Sequence, residues 1–160
     1  MKFGEASARH NAMMIFLLRH ADRSSTSADT LSPTGRKRAE RLGHMLGETG
    51  VGVAFCSDAQ RTRETLAPLQ QVRGDALAIT EVSMEAPGGI ADHINQIVAA
   101  IESLPAGTVA VVVGHSNTVG PMIEGLGGES IALIQETEFD KLFLLCRAAS
   151  GEKTLLKMRY

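Results

Sequence analysis

Two histidines in this sequence follow apolar runs directly. Leu18-Arg19-His20-Ala21 closes the run that begins at Met13, and Gly114-His115-Ser116-Asn117 closes Thr108 to Val113. A third run, Val51 to Cys56, ends at Ser57, and Arg61 comes four residues later. A neutral imidazole is a nucleophile and a charged one is a donor. A guanidinium presents planar, paired donors that match the oxygens of a tetrahedral anion. Two arginines, two histidines and a helix N-terminus at one place would make an anion pocket with a nucleophile in it. Singly, each of these residues reads as a solvated strand end, a satisfied structural histidine or a surface arginine. Their joint placement is what raises the chemical reading.

The elements between them decide whether they meet. Met13 to Leu18, Val51 to Cys56, Leu77 to Met84 and Thr108 to Val113 read as strands. Ser32-Pro33 opens a helix, with Ser as cap and Pro at the first helical position. Ala39, Leu42, Met45 and Leu46 form its apolar face, and Gly47 and Gly50 stop it. Ser57-Asp58 offers caps for a helix from Ala59 to about Gln71, which Pro68 should kink or end early. Ile90, Ile94, Ile97, Val98, Ile101 and Leu104 follow a helical period. A short helix comes after Asn117, with Pro121 near its start. Leu142 to Cys146 and Thr154 to Met158 read as an antiparallel hairpin. Ser24 to Thr30 is a loop of small and polar residues.

Strands alternating with helices give an α/β fold. We expect a three-layer sandwich, with a mostly parallel sheet, helices on both faces and an antiparallel C-terminal edge hairpin. Ligands of such sheets bind outside the carboxyl ends of the strands, where Arg19, His20, Arg61 and His115 fall.

Composition bounds the rest. The chain has 160 residues, 44% of them apolar and 21% charged, with a net charge of −2. That suits one domain, expected over residues 13–160, and gives no reason to expect nucleic acid or an anionic membrane as partner. No apolar stretch approaches the roughly 20 residues of a membrane span. Residues 1–12 read as a disordered leader or an added tag. Cys56 and Cys146 sit in apolar runs and read as reduced thiols, which points to the cytoplasm. No zinc-type spacing exists, so neither metal nor cofactor is expected. His10, His44 and His93 lie in polar stretches and read as surface residues.

Four segments then resemble one known family. Leu18-Arg19-His20-Ala21 is similar to the Arg-His-Gly/Ala signature of the histidine phosphatase superfamily, which includes the phosphoglycerate mutases. Leu31-Ser32-Pro33-Thr34-Gly35 resembles that family's Leu-Ser/Thr-x-x-Gly helix start. Ser57 to Thr65 resembles its Ser-x-x-x-Arg-Thr-x-x-Thr segment, and Val113-Gly114-His115-Ser116 its second histidine motif. The resemblance implies a phosphatase in which His20 is phosphorylated and Arg19, Arg61 and His115 hold the phosphoryl group without metal. A protonated His115 would be a donor there, and the cations around His20 would keep that ring neutral. The substrate implied is a phosphorylated small molecule or a phosphoprotein, as in the small members similar to phosphohistidine phosphatases.

An alcohol leaving group also needs a proton. The family supplies it from a carboxylate after the third strand, for which Glu81 and Glu85 are the candidates. Glu85, just before Ala86-Pro87-Gly88-Gly89, is placed better, and a phosphohistidine substrate needs neither. The long insertions of the mutases between third and fourth strand are missing, so an open, shallow pocket is expected. Two rivals remain. Gly114-His115-Ser116-Asn117-Thr118 approaches the Gly-x-Ser-x-Gly elbow of serine hydrolases, but Thr118 replaces the glycine and no histidine follows. The other is a catalytically weak phosphate-binding module of the same fold.

Overall fold

The computed structural model describes residues 11–85 and 87–160. Residues 1–10, which hold most of the expected leader and His10, and Ala86 lie outside the described residues; Asn11 and Ala12 belong to no helix or strand. In chain order the elements are β1 (Met13–Arg19), α1 (Pro33–Gly47), β2 (Val53–Ser57), α2 (Gln60–Arg73), β3 (Ala78–Val82), α3 (Gly89–Glu102), β4 (Val109–Gly114), α4 (Val119–Gly125), β5 (Lys141–Arg147) and β6 (Lys153–Arg159). They form one sheet in the order β3-β2-β4-β1-β5-β6. The first four strands of that order run parallel, and β5 and β6 are antiparallel.

The unbroken apolar run of β1 has a direct cause. Ile15 and Leu17 pack with α3 and α4 through Ile97, Ile101, Met122 and Ile123. Phe16 and Leu18 pack on the opposite face with Leu42 and Leu46 of α1 and Leu66 and Leu69 of α2. A strand covered on both sides has no polar face to show. The fold is thus the expected three-layer sandwich with an antiparallel edge hairpin. Among the described residues no helix is long and apolar enough to cross a membrane.

Helix α1 starts as expected: Ser32 Oγ accepts from Gly35 N at 3.1 Å, and Pro33 is the first helical residue. Ala39, Leu42 and Leu46 are buried, whereas Met45 is 42% exposed and not part of the face. Pro68 does not break α2, which runs on to Arg73. Leu66 and Leu69 are buried against α1 on either side of the proline. Packing of that face outweighs the roughly 3 kcal/mol that an interior proline costs. Strand β3 is shorter than expected. The Asp58 carboxylate accepts from Ser83 Oγ at 2.8 Å and from Met84 N at 3.4 Å, which draws the chain out of the sheet. In α3, Ile90 is 42% exposed and His93 is fully buried with Ile97 and Ile101. His93 is therefore not a surface residue. It lies four residues before Ile97, on the helix's buried stripe, and its Nδ1 donates to the Val82 carbonyl at 2.8 Å.

Candidate active site

The carboxyl ends of β1, β2 and β4 bring the motif residues together. His20 N donates to the Gly114 carbonyl at 2.9 Å, which extends the β1–β4 ladder one residue past the strand. This fixes His20 beside His115, with ring centroids 5.4 Å apart and planes inclined by 64°. His20 Nδ1 lies 2.8 Å from the Ala21 carbonyl, which can only accept. The proton is therefore on Nδ1, and Nε2 carries the lone pair.

The β2 segment explains its own pattern. Ser57 Oγ is 2.8 Å from His115 Nε2. Arg61 Nη2 is 3.3 Å from His115 Nδ1. Thr62 Oγ1 lies within reach of Ser57 Oγ and of the Ser57 and Ala59 carbonyls. Thr65 Oγ1 accepts from Ala21 N at 3.0 Å, which ties the backbone after His20 to α2. Gly35 completes the frame. A Cβ there would collide with the Asp22 carbonyl, so the glycine lets α1 close on the loop that follows His20. Thr118 Oγ1 accepts from His115 N at 2.9 Å and holds the second motif in place.

Both rings are held neutral. Burial first, then His115, Arg19 and Arg61, outweigh the Ala21 hydrogen bond and take His20 down to about 3. Burial first, then Arg61, takes His115 down to about 3. The contacts of His115 agree with a neutral ring. Its Nδ1 is an acceptor filled by a guanidinium that can only donate.

The pocket is not open. Residues 135–139, in a segment with no helix or strand, contact it through Gln135, Glu136, Glu138 and Phe139, and His20 and His115 are 2% and 5% exposed. Arg19 Nη1 donates to the Gln135 and Glu136 carbonyls at 2.9 Å each and lies 3.3 Å from that of Glu138. Its Nη2 is 3.1 Å from Glu136 Oε2. Phe139 stacks 4.1 Å from the Arg19 guanidinium and 5.9 Å from the His20 ring. Arg61 Nη1 is bound by Asp29 Oδ1 at 2.6 Å. Partial burial opposes ionisation of Asp29, but the Gln60 N–H and Arg61 hold its carboxyl below the usual range. The Nε atoms of Arg19 and Arg61 are buried with no partner among the described residues. A cleft of about 310 Å³ opens beside Arg19, lined also by Asp22, Arg23, Ser25, Thr26, Glu136, Thr137 and Phe139.

The structure thus gathers Arg19, His20, Ser57, Arg61 and His115 at one edge. Neither acid candidate is among them. Glu81 faces α2 and is bound by Arg63 at 2.7 Å from both oxygens. Glu85 stands in an exposed turn after β3, the edge strand next to β2. The sequence reading passed over Asp29, Glu136 and Phe139. The acidic residues sit in loop segments without a period. Among the described residues no group of three or more His, Cys, Asp or Glu is placed to hold a metal ion.

The family model of the histidine phosphatase superfamily (branch 1) matches residues 15–89. No curated protein sequence matches the chain significantly. Among solved structures, one from Nakamurella multipartitia, assigned as the phosphohistidine phosphatase SixA, is 25% identical with a TM-score of 0.62, over 92% of this chain and 96% of that one. A protein histidine phosphatase SixA complexed with tungstate is 19% identical, TM-score 0.62, over 92% and 97%. A mycobacterial glucosyl-3-phosphoglycerate phosphatase in complex with VO3 is 15% identical, TM-score 0.68, over 91% and 98%. The latter two bear on the fold alone. The histidine phosphatase family model thus matches β1 to the start of α3, and the fold is shared with these phosphatase structures over nearly the whole described length.

Proposed function

We propose that the chain is a phosphatase that works through a phosphohistidine on His20. The observation that carries this reading is the pair of buried neutral imidazoles flanked by two guanidinium groups whose Nε donors have no partner among the described residues. An incoming phosphoryl group supplies the missing acceptors. The His20 Nε2 lone pair attacks phosphorus, and the bond from phosphorus to the leaving oxygen or nitrogen breaks. That atom keeps the bonding electrons and takes up a proton. Water then attacks the phosphorus of the phosphohistidine. The N–P bond breaks, its electrons return to Nε2, and inorganic phosphate leaves.

Chemistry of this kind asks the protein mainly for position and charge stabilisation. Arg19, Arg61 and His115 are the donors for the equatorial oxygens in this scheme. A bound phosphoryl dianion offsets the nearby cations that help hold His115 neutral, and so favours its protonation. Glu85 is the candidate donor for poor leaving groups, since Glu81 is already engaged by Arg63. The relative assigned as a phosphohistidine phosphatase favours a phosphorylated substrate, a protein or a small molecule. Metal independence fits a pocket of arginines and histidines, because a guanidinium is not a metal ligand. The free thiols, one of them buried, fit a reducing cytoplasm.

One observation favours the weaker reading, a phosphate-binding module with little turnover. Asp29 and Glu136 already hold the two arginines. Incubation with nitrophenyl phosphate in EDTA, followed by mass spectrometry without acid, separates the two. Turnover with phosphate trapped on His20, and neither in His20→Ala, is expected. Binding of vanadate without turnover would leave the module. Phosphate on His115 or a serine would overturn the assignment of the nucleophile.

A further inference from the structure

Asp29 and Glu136 reach the pocket from two loops that flank it. Their side chains are 55% and 63% exposed, yet each takes one oxygen to an arginine of the site. The other oxygen of each is anchored independently. Asp29 Oδ2 accepts from Gln60 N at 3.1 Å, and Glu136 Oε1 accepts from Ser116 Oγ at 3.0 Å. A phosphoryl group that takes the two guanidinium groups therefore leaves both carboxylates tethered at its rim. At rest, two arginines, two carboxylates and two neutral rings balance. With the ligand bound, the phosphoryl group shares both guanidinium charges, and the carboxylates, left partly uncompensated, face whatever the phosphorus carries.

Resting on the phosphoryl-pocket reading, we infer that Asp29 and Glu136 select substrates by the charge of the leaving portion. They favour phosphoryl compounds that carry a cation or several hydrogen-bond donors there, and they disfavour an anionic group. Among the other charged residues lining the cleft, Arg23 offsets part of this arrangement and Asp22 does not add to it. Arg23 turns Nη1 toward the Thr26 and Ala28 carbonyls of its own loop, and Asp22 is bound by Arg38. Because both carboxylates are exposed, the selection is of moderate size and salt weakens it.

Three non-hydrolysable phosphonates test this by calorimetry at pH 7.5, with vanadate as reference ligand. They are 2-aminoethylphosphonate, propylphosphonate and phosphonoacetate. In low salt the wild type should bind them in that order, with about tenfold between the first and last. The ratio should fall to about twofold in the D29N/E136Q double variant, mainly because phosphonoacetate binds better. It should shrink partly in each single variant, which serves if the double variant does not fold. Equal affinities in the wild type, tighter binding of phosphonoacetate, or a ratio unchanged in the variants would overturn the inference while leaving the pocket intact. A wild type that binds neither vanadate nor any phosphonate would remove the pocket reading, and the inference with it.

Discussion

Ser57 Oγ lies 2.8 Å from His115 Nε2, on the side of the ring opposite the Arg61 guanidinium. Since the guanidinium can only donate, Nδ1 accepts and the ring proton goes to Ser57. Ser57 in turn passes its proton toward Thr62 Oγ1, 3.2 Å away. Ser57→Ala leaves a buried ring N–H without an acceptor. The expected cost is about 1–3 kcal/mol of stability. Vanadate affinity should fall with it, and the imidazole nitrogen resonances should show a changed tautomer balance. A variant with wild-type melting, affinity and nitrogen shifts would show that Ser57 does not set the ring.

The neutral histidines give the stability a defined pH dependence. His20 and His115 sit at about 3 in the folded chain, against about 6.5 unfolded. Below 6.5 the unfolded chain binds more protons, so folding stability is complete above that pH and is lost as pH falls toward 3. The slope is at most about 1.4 kcal/mol per pH unit for each ring. Between pH 6.5 and 5 the carboxylates stay ionised, so urea midpoints there should report the histidines. A double His20→Asn, His115→Asn variant should remove most of that slope, the remainder belonging to buried His93, which burial also holds below its ordinary value. Ring nitrogen shifts of the wild type should still show neutral imidazoles at pH 5. Titration of both rings near 6.5 would contradict the picture.

These residues also show what a sequence can carry. β1 was legible because burial on both faces forces a continuous apolar run. The Ser32-Pro33 start was legible because capping chemistry is local. His93 was missed because its neighbours Asp92 and Asn95 are polar, although its spacing from Ile97 and Ile101 put it on the buried stripe. The cover over the pocket was not legible at all. Arg19 is held there mainly by the Gln135, Glu136 and Glu138 carbonyls, and a carbonyl has no letter in a sequence.

Gly35 offers a test of the frame rather than of the chemistry. Gly35→Ala pushes a methyl group into the Asp22 carbonyl, two residues after His20. Overpacking of this kind costs about 1–3 kcal/mol. It should also lower kcat by moving the His20 backbone. Gly52→Ala is the control, since its nearest new neighbour would be the Ala76 carbonyl at 3.7 Å. Equal melting temperatures for the two variants would show that α1 need not sit so close.

Glu85 is tested by leaving groups. If it supplies the proton, Glu85→Gln should slow alkyl phosphates by roughly 10²–10⁴-fold and leave nitrophenyl phosphate or phosphohistidine nearly unchanged. Glu81→Gln should have little effect, because its carboxylate is spent on Arg63. kcat/KM for both variants across a leaving-group series decides. An equal loss across the series would make Glu85 structural. No loss at all would mean hydrolysis without a protein acid.

The contacts of Arg19 also fix an order of events during synthesis. Its partners lie 116 to 119 residues further along the chain. β1 itself is completed only by β4 and then β5. At about 5–20 residues per second, a ribosome needs several seconds to deliver them after Arg19 is made. Over that interval the nascent chain carries Arg19 and His20 without the loop that covers them. The candidate site therefore comes into being with the C-terminal part of the chain, and a prematurely terminated product has no finished pocket.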